Sequence, residues 1–236
     1  MELAAVVAIL CLATLFHGTL GFGTGLVAMP LLTLLIGVHD ATALVAFVIL
    51  GTTILVLRRD WRRAEPRAAV YLVVGSLPGV PLGILLLTRA PADAIQRGLA
   101  LLLIAYAIYS LVAPRLIEAR HPAWALILGL VSGILGGAYN TNAPPVVIYG
   151  ALRRWPPDVF RATLQAYFVP LAAAVWLGHG ISGLWSTQIA TTYAVFLPFG
   201  LVALWLGNRL STRLPVATFD RLLYVLIIAL GALLLV

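Results

Sequence analysis

The sequence has no lysine, a single cysteine and only eight acidic residues in a chain of 236. Its one cysteine, Cys11, lies in an apolar stretch and reads as a packed small hydrophobe, which excludes an internal disulfide and any paired-thiol metal or redox motif. The acids Glu2, Asp40, Asp60, Glu65, Asp93, Glu118, Asp158 and Asp220 all fall near the ends of apolar segments, and no two histidines have metal-ligand spacing. Neither a carboxylate pair for acid–base chemistry nor a zinc motif can be assembled, so no catalytic residue, metal site or cofactor is expected. Charged residues make up 10% of the chain, against about 25% in soluble domains. Strand-like alternation is absent too, which leaves helices rather than a β-barrel to satisfy the backbone in lipid. The start lacks a basic region and a small-residue cleavage site, so the first apolar segment is expected to stay in the mature protein.

What is present is apolar: 62% of residues are hydrophobic and the mean hydropathy is +1.07. Stretches free of Asp, Glu, Lys and Arg cover residues 3–38, 41–57, 68–88, 98–114, 121–152, 162–208 and 222–236. Most reach the roughly 20 residues needed to cross a bilayer. The 15 basic residues are all arginine and cluster at segment ends, a topology signal rather than a surface for phosphates.

An internal repeat is visible. His17, Gly18, Leu20, Gly21 and Pro30 align at a constant offset with Ser132, Gly133, Leu135, Gly136 and Pro145, and Gly83, Arg89, Pro91 and Arg97 align with Gly207, Arg213, Pro215 and Arg221. Each half reads as a glycine-broken segment followed by three plain helices. If the broken segments cross the membrane once, the arginines divide almost evenly between the two sides. If they fold back as hairpins, all but Arg89 and Arg97 fall on one side, as the positive-inside tendency requires. The expected fold is therefore an all-α polytopic membrane protein of two inverted repeats, each a broken, re-entrant helical hairpin plus three transmembrane helices. The first repeat, 1–114, comprises a hairpin over 2–37 and helices over 40–57, 67–88 and 94–114. The second, 121–236, comprises a hairpin over 122–152 and helices over 158–177, 187–208 and 217–236. The loop "RRDWRRAEPR" is expected inside, and "GHGISGLW" and both termini outside.

The breaks carry the functional expectation. In "GGAYNTNAPP" Gly136 and Gly137 can end one half-helix, residues 140–142 can turn, and Pro144 suits the first turn of the next helix with Asn142 as its N-cap. In the mate, "LGFGTGLVAMP", Thr24 or Gly25 starts the second half-helix. Irregular backbone survives at membrane depth only where protein or a watery cavity satisfies it. Two helix N-termini meeting there offer unpaired amides and partial positive charge, an anion site without a buried cation.

The segments "GTLGFGTGLVAMPLL" and "GLVSGILGGAYNTNAPPVVIYGALRRW", with "FRATLQAYF" following, resemble the TauE/SafE family, the sulfite exporters or transmembrane sulfur-anion permeases, over essentially the whole chain. The resemblance implies a multi-pass carrier of the prokaryotic inner membrane for sulfite, thiosulfate, sulfonates, sulfoacetate or related organic anions. Ala138, Asn140, Asn142 and Ala143 stand where many relatives have more glycine, which points to a more polar ligand.

The candidate substrate-binding residues are Gly23, Thr24, Gly25, Asn140, Thr141, Asn142 and Gln165; His17, Tyr139, Arg161 and Tyr167 are candidates for coupling or gating. His17 alone among the histidines lies well inside an apolar segment; His39, His121 and His179 are expected at the interface. Gln165 either bridges helices or faces the hairpin turn, and Tyr139 either lines the cavity or packs. Gly79, Gly83, Gly129, Gly133 and Gly137 have the spacing that lets helices approach closely. The expected partners are a small anion, lipid and a coupling ion, H⁺ or Na⁺, with a homo-oligomer open and nucleic acid excluded. The alternatives are a cation-coupled or cation-selective carrier or channel built on the same broken helices, or a non-transporting assembly subunit.

Overall fold

The computed structural model describes residues 2–112, 121–210 and 216–235, with the side chains of 2, 58–61 and 216–223 excepted. Arg115, Arg120 and Arg213 of the topology argument lie outside the described residues, as do 113–114 and 236 at the expected helix ends. Among the described residues there are ten α-helices and no strand. They are α1 (Glu2–Leu20), α2 (Thr24–Ile36), α3 (Val38–Asp60), α4 (Pro66–Arg89), α5 (Ala92–Val112), α6 (Ala123–Tyr139), α7 (Ala143–Leu152), α8 (Pro157–Ile181), α9 (Thr187–Leu210) and α10 (Val216–Leu233). Six of them, α1, α3, α4, α5, α8 and α9, are long and apolar enough to cross a bilayer.

Both expected hairpins break where glycine or asparagine releases the backbone. α1 stops at Leu20, and Gly21 and Gly23 take φ of 85° and 109°, conformations that cost a side-chain-bearing residue about 1–2 kcal/mol. The second break departs from the sequence reading: Gly136 and Gly137 do not end α6, which runs on to Tyr139 and is capped by Asn140 at φ 51°. Asparagine tolerates the left-handed region, which frees Gly137 to pack on α4.

The ends of the helices show how the chain turns. Leu3 and Val6 of α1, Ile36 of α2, and Asp40 and Leu44 of α3 line one cavity with Gln188 and Thr192 of α9, so α2 folds back along α1 instead of continuing away from it. At this same end His39 Nε2–H donates to the Leu87 carbonyl near the end of α4, 3.0 Å, and Gln96 of α5 donates to the Leu234 carbonyl beyond α10, 3.0 Å. The second hairpin opens at the opposite end, where Arg153 just after α7 pairs with Glu65 just before α4 at 2.9 Å. Trp155 Nε1–H donates to the other Glu65 oxygen at 2.5 Å, and Thr163 of α8 accepts the Glu65 amide at 2.9 Å.

Close backbone packing places the hairpins. Gly75, Gly79 and Gly83 of α4 face Leu126, Leu130 and Ile134 of α6 in order, and Gly129, Gly133 and Gly137 return the contact onto Leu72, Ser76 and Val80. A methyl group at any of the six would run into a carbonyl of the other helix. Without a hydrophobic drive between helices in lipid, such close approach is what dispersion and weak backbone contacts need. α1 meets α9 in the same manner, Gly18 against Gly207. The first arm of each hairpin is thus held by the penultimate helix of the other half.

Candidate functional site

The two breaks come together. Gly25, the second residue of α2, lies against the carbonyl of Asn140 with no room for a side chain. Around this contact a cavity is lined by His17, Phe22, Gly23, Thr24, Gly25 and Leu26 from the first hairpin and Asn140, Thr141, Asn142 and Ala143 from the second. Ile49 and Thr53 of α3 and Phe168 of α8 complete it. Ile49 is the twelfth residue of the 23-residue α3 and Phe168 the twelfth of the 25-residue α8, so the cavity lies halfway along both. Its interior volume is about 20 Å³, room for about one water. No charged side chain lines it among the described residues.

The two helix starts are not equivalent. α2 begins at Thr24 after left-handed Gly23 with no side-chain cap, and the first paired amide is Val27, bonded to the Gly23 carbonyl at 3.1 Å. The amides of Thr24, Gly25 and Leu26 are those a helix start leaves unpaired within the helix. α7 begins Ala143, Pro144, Pro145, so two of its first three positions have no N–H to offer. Asn142 holds the N-cap position as expected, but its side chain makes no capping bond. Asn140 Nδ2–H donates to the Thr42 carbonyl of α3, 2.6 Å, and Thr141 Oγ1–H to the Tyr139 carbonyl, 3.1 Å. Of the three polar side chains in this turn, two are occupied with backbone and Asn142 makes no such bond to its own helix.

Each turn is tied to a helix of the other half. Gln165 of α8 donates through Nε2 to the Gly21 carbonyl in the first break, while Asn140 in the second grips α3. Gln165 therefore faces the hairpin turn but holds it rather than lining the cavity. Arg161, one turn earlier, reaches the end of α1, donating to the Gly18 carbonyl at 3.1 Å and to Asn208 Oδ1 at 3.2 Å, where a cation complements the partial negative charge of a helix C-terminus. Tyr167, fully buried, donates to Ser132 Oγ at 2.7 Å and lies 2.8 Å from Ser76 Oγ. Ser132 in turn donates to the Asn142 carbonyl at 2.5 Å, a relay that fixes the second turn from α8.

Of the residues singled out in the sequence, Gly23, Thr24, Gly25, Asn140, Thr141, Asn142 and His17 are brought to one cavity, and Gln165, Arg161 and Tyr167 stand behind it. Tyr139 is buried but does not line the cavity; a methyl at Gly98 of α5 would fall 2.5 Å from its hydroxyl, so it packs against α5. His179, in the last turn of α8, is fully buried, with Nε2–H on the Gly137 carbonyl at 2.9 Å. Phe22, Leu26, Ile49, Thr53 and Phe168 were not singled out, because nothing local separates an apolar residue lining a cavity from one packed in a core. Thr53 also bonds back to the Ile49 carbonyl at 2.7 Å, the ordinary behaviour of a helical threonine.

Long apolar helices and two interrupted hairpins whose turns meet at mid-length define a multi-pass membrane protein. The profile of the sulfite exporter TauE/SafE family matches residues 6–234, and the chain belongs to that family. A curated relative, the probable sulfite/organosulfonate exporter TauE of Cupriavidus necator, is 25% identical over 239 residues, covering 98% of this chain and 93% of its own. No solved structure matches the chain. Membership of an exporter family agrees with a transporter and not an enzyme.

Proposed function

We propose that the protein is a secondary carrier for small sulfur-containing or organic anions such as sulfite, thiosulfate, sulfonates or sulfoacetate, bound in the cavity between the two breaks. The observation that carries this reading is the meeting of two helix starts in one cavity that no charged side chain lines among the described residues. The amides of α2 supply donors and partial positive charge, and the Asn142 side chain supplements the donor set that two prolines deplete at the start of α7. A neutral cradle binds an anion directionally yet lets it leave, whereas a desolvated ion pair would hold it. The name of the Cupriavidus relative supports the sulfur-anion class. Gly23, Thr24, Gly25, Asn142 and the backbone at 140–141 are assigned to the anion, and Gln165, Asn140 and Tyr167 to holding the turns.

The two halves act as inverted repeats, 1–114 and 121–236, in a prokaryotic inner membrane with both termini outside. Support comes from the first hairpin opening at one end of the molecule and the second at the other. The arginines near the Glu65 end then face the cytoplasm.

Reconstitution into liposomes tests the reading: anion counterflow of sulfite, thiosulfate and ethanesulfonate is expected, and absence of flux for every sulfur anion and carboxylate offered removes it. A cation carrier on the same scaffold would use the carbonyl ends of the broken helices and would show Na⁺ flux without any anion.

A further inference from the structure

His17 is the ionisable side chain that lines the cavity, and it is 2% exposed. Its Nδ1 lies 2.9 Å from Thr24 Oγ1, the side chain of the first residue of α2. Its Nε2 is buried and has no hydrogen-bond partner. A buried imidazole nitrogen left unpaired carries its full desolvation penalty, so this atom is one that a ligand or a proton can satisfy. Building on the carrier reading above, we propose that His17 Nε2 takes up the proton that travels with the anion, making the protein an H⁺–anion cotransporter.

With Nδ1–H donating to Thr24, the lone pair of Nε2 is the free acceptor. A proton arriving from water forms the Nε2–H bond, converts the ring to imidazolium and places a positive charge and a donor at the start of α2, beside the amides that receive the anion. Release reverses both: the anion leaves, Nε2–H gives its proton to water on the far side, and the neutral ring returns. No other bond changes. The charged side chain facing His17 is Arg161 of α8, whose guanidinium is bonded to the Gly18 carbonyl one residue further along α1. An anion bound beside imidazolium is attracted to it and to this guanidinium. α2, α3 and α9 present Thr24, Thr53 and Asn208 to this region, none of which titrates. Proton and anion therefore each raise the other's affinity by the same factor. Sodium fits less well, because no carboxylate lines the cavity among the described residues.

The test uses ethanesulfonate and thiosulfate, neither of which binds a proton near neutral pH, so any proton that moves is carried by the protein. In proteoliposomes with the membrane potential clamped at zero, a gradient of about one pH unit, alkaline inside, is expected to drive about tenfold accumulation at one proton per anion. A lumenal pH dye should report one proton entering with each anion. In His17→Asn, which keeps a polar group near Thr24, the proton-to-anion ratio of the remaining flux is expected to fall to zero. If that variant carries no measurable flux, proton uptake on anion binding to the solubilised protein is read instead and should be lost. Anion flux without proton movement in the parent, accumulation driven by a Na⁺ gradient instead, or an unchanged ratio or uptake in His17→Asn overturns the proposal while leaving the anion carrier standing. Absence of flux for all anions removes both.

Discussion

Gly25 of α2 packs directly on the carbonyl of Asn140, the residue that caps α6, so the two interrupted helices touch through a position where only hydrogen fits. A methyl group there can be relieved only by moving the helix starts apart. Overpacking of this kind costs about 1–3 kcal/mol. Gly25→Ala is expected to lower melting temperature and to weaken stabilisation by sulfur anions, read by thermal shift with and without ligand.

Gly23 offers a contrast, since its φ is 109° and nothing lies within 4 Å of where a Cβ would be. Gly23→Ala should cost about 1–2 kcal/mol through the backbone alone. Gly183, at φ 76° with the same open surroundings in the loop before α9, is the matched control. Both alanine variants should lose similar stability, whereas anion affinity should fall only in Gly23→Ala, measured by ligand titration of the purified proteins.

The polar residues of the second break should separate in the same way. Asn140→Ala loses both a left-handed cap and the bond to Thr42, and is expected to be less stable than Asn140→Gly, which loses only the bond. Asn142→Ala removes a side chain that caps nothing. Its melting temperature should hardly change while its anion affinity falls by about 0.5–1.5 kcal/mol, seen as a rightward shift of the thermal titration.

The relay from Tyr167 through Ser132 to the Asn142 carbonyl predicts that Tyr167→Phe loosens the turn without touching the cavity. Loss of a buried hydrogen bond that leaves Ser132 short of a donor should cost about 1–2 kcal/mol. Counterflow rate and affinity should both decline, and Ser132→Ala, which cuts the same relay, should add little more in the double variant, as measured by a double-mutant cycle.

Topology is tested with Cys11→Ala as background. Single cysteines replacing Arg62, in the turn before α4, and Gly183, in the loop before α9, should label from opposite sides with an impermeant thiol reagent. Labelling of both from one side contradicts the hairpin arrangement.

The breaks were readable because glycine, asparagine and proline in an apolar run have few local explanations, and a hydrophobic segment long enough to span is a strong signal. The role of each residue in the break was less readable. Gly136 and Gly137 looked like a helix stop, but in lipid small residues are wanted equally for close packing, and Asn140 took the stop instead. Three consecutive polar residues suggested three ligand contacts. Away from water, the backbone has first claim on such groups, and Asn140 and Thr141 are spent on carbonyls. The targets of Gln165 and Arg161 lie more than 140 positions away in the chain, at Gly21 and Gly18, and no local pattern encodes such a pairing.

The crossed ties between the halves have a consequence for the working cycle. Gln165 reaches from a long helix to a turn, while Asn140 reaches from a turn to a long helix, so the two fastenings differ in kind although they occupy corresponding places. In a carrier of the proposed kind, rocking that uncovers the cargo toward one face would strain one fastening before the other. The resting protein should accordingly favour one orientation, and shortening Gln165 to Asn should tilt that preference without altering which anion is chosen.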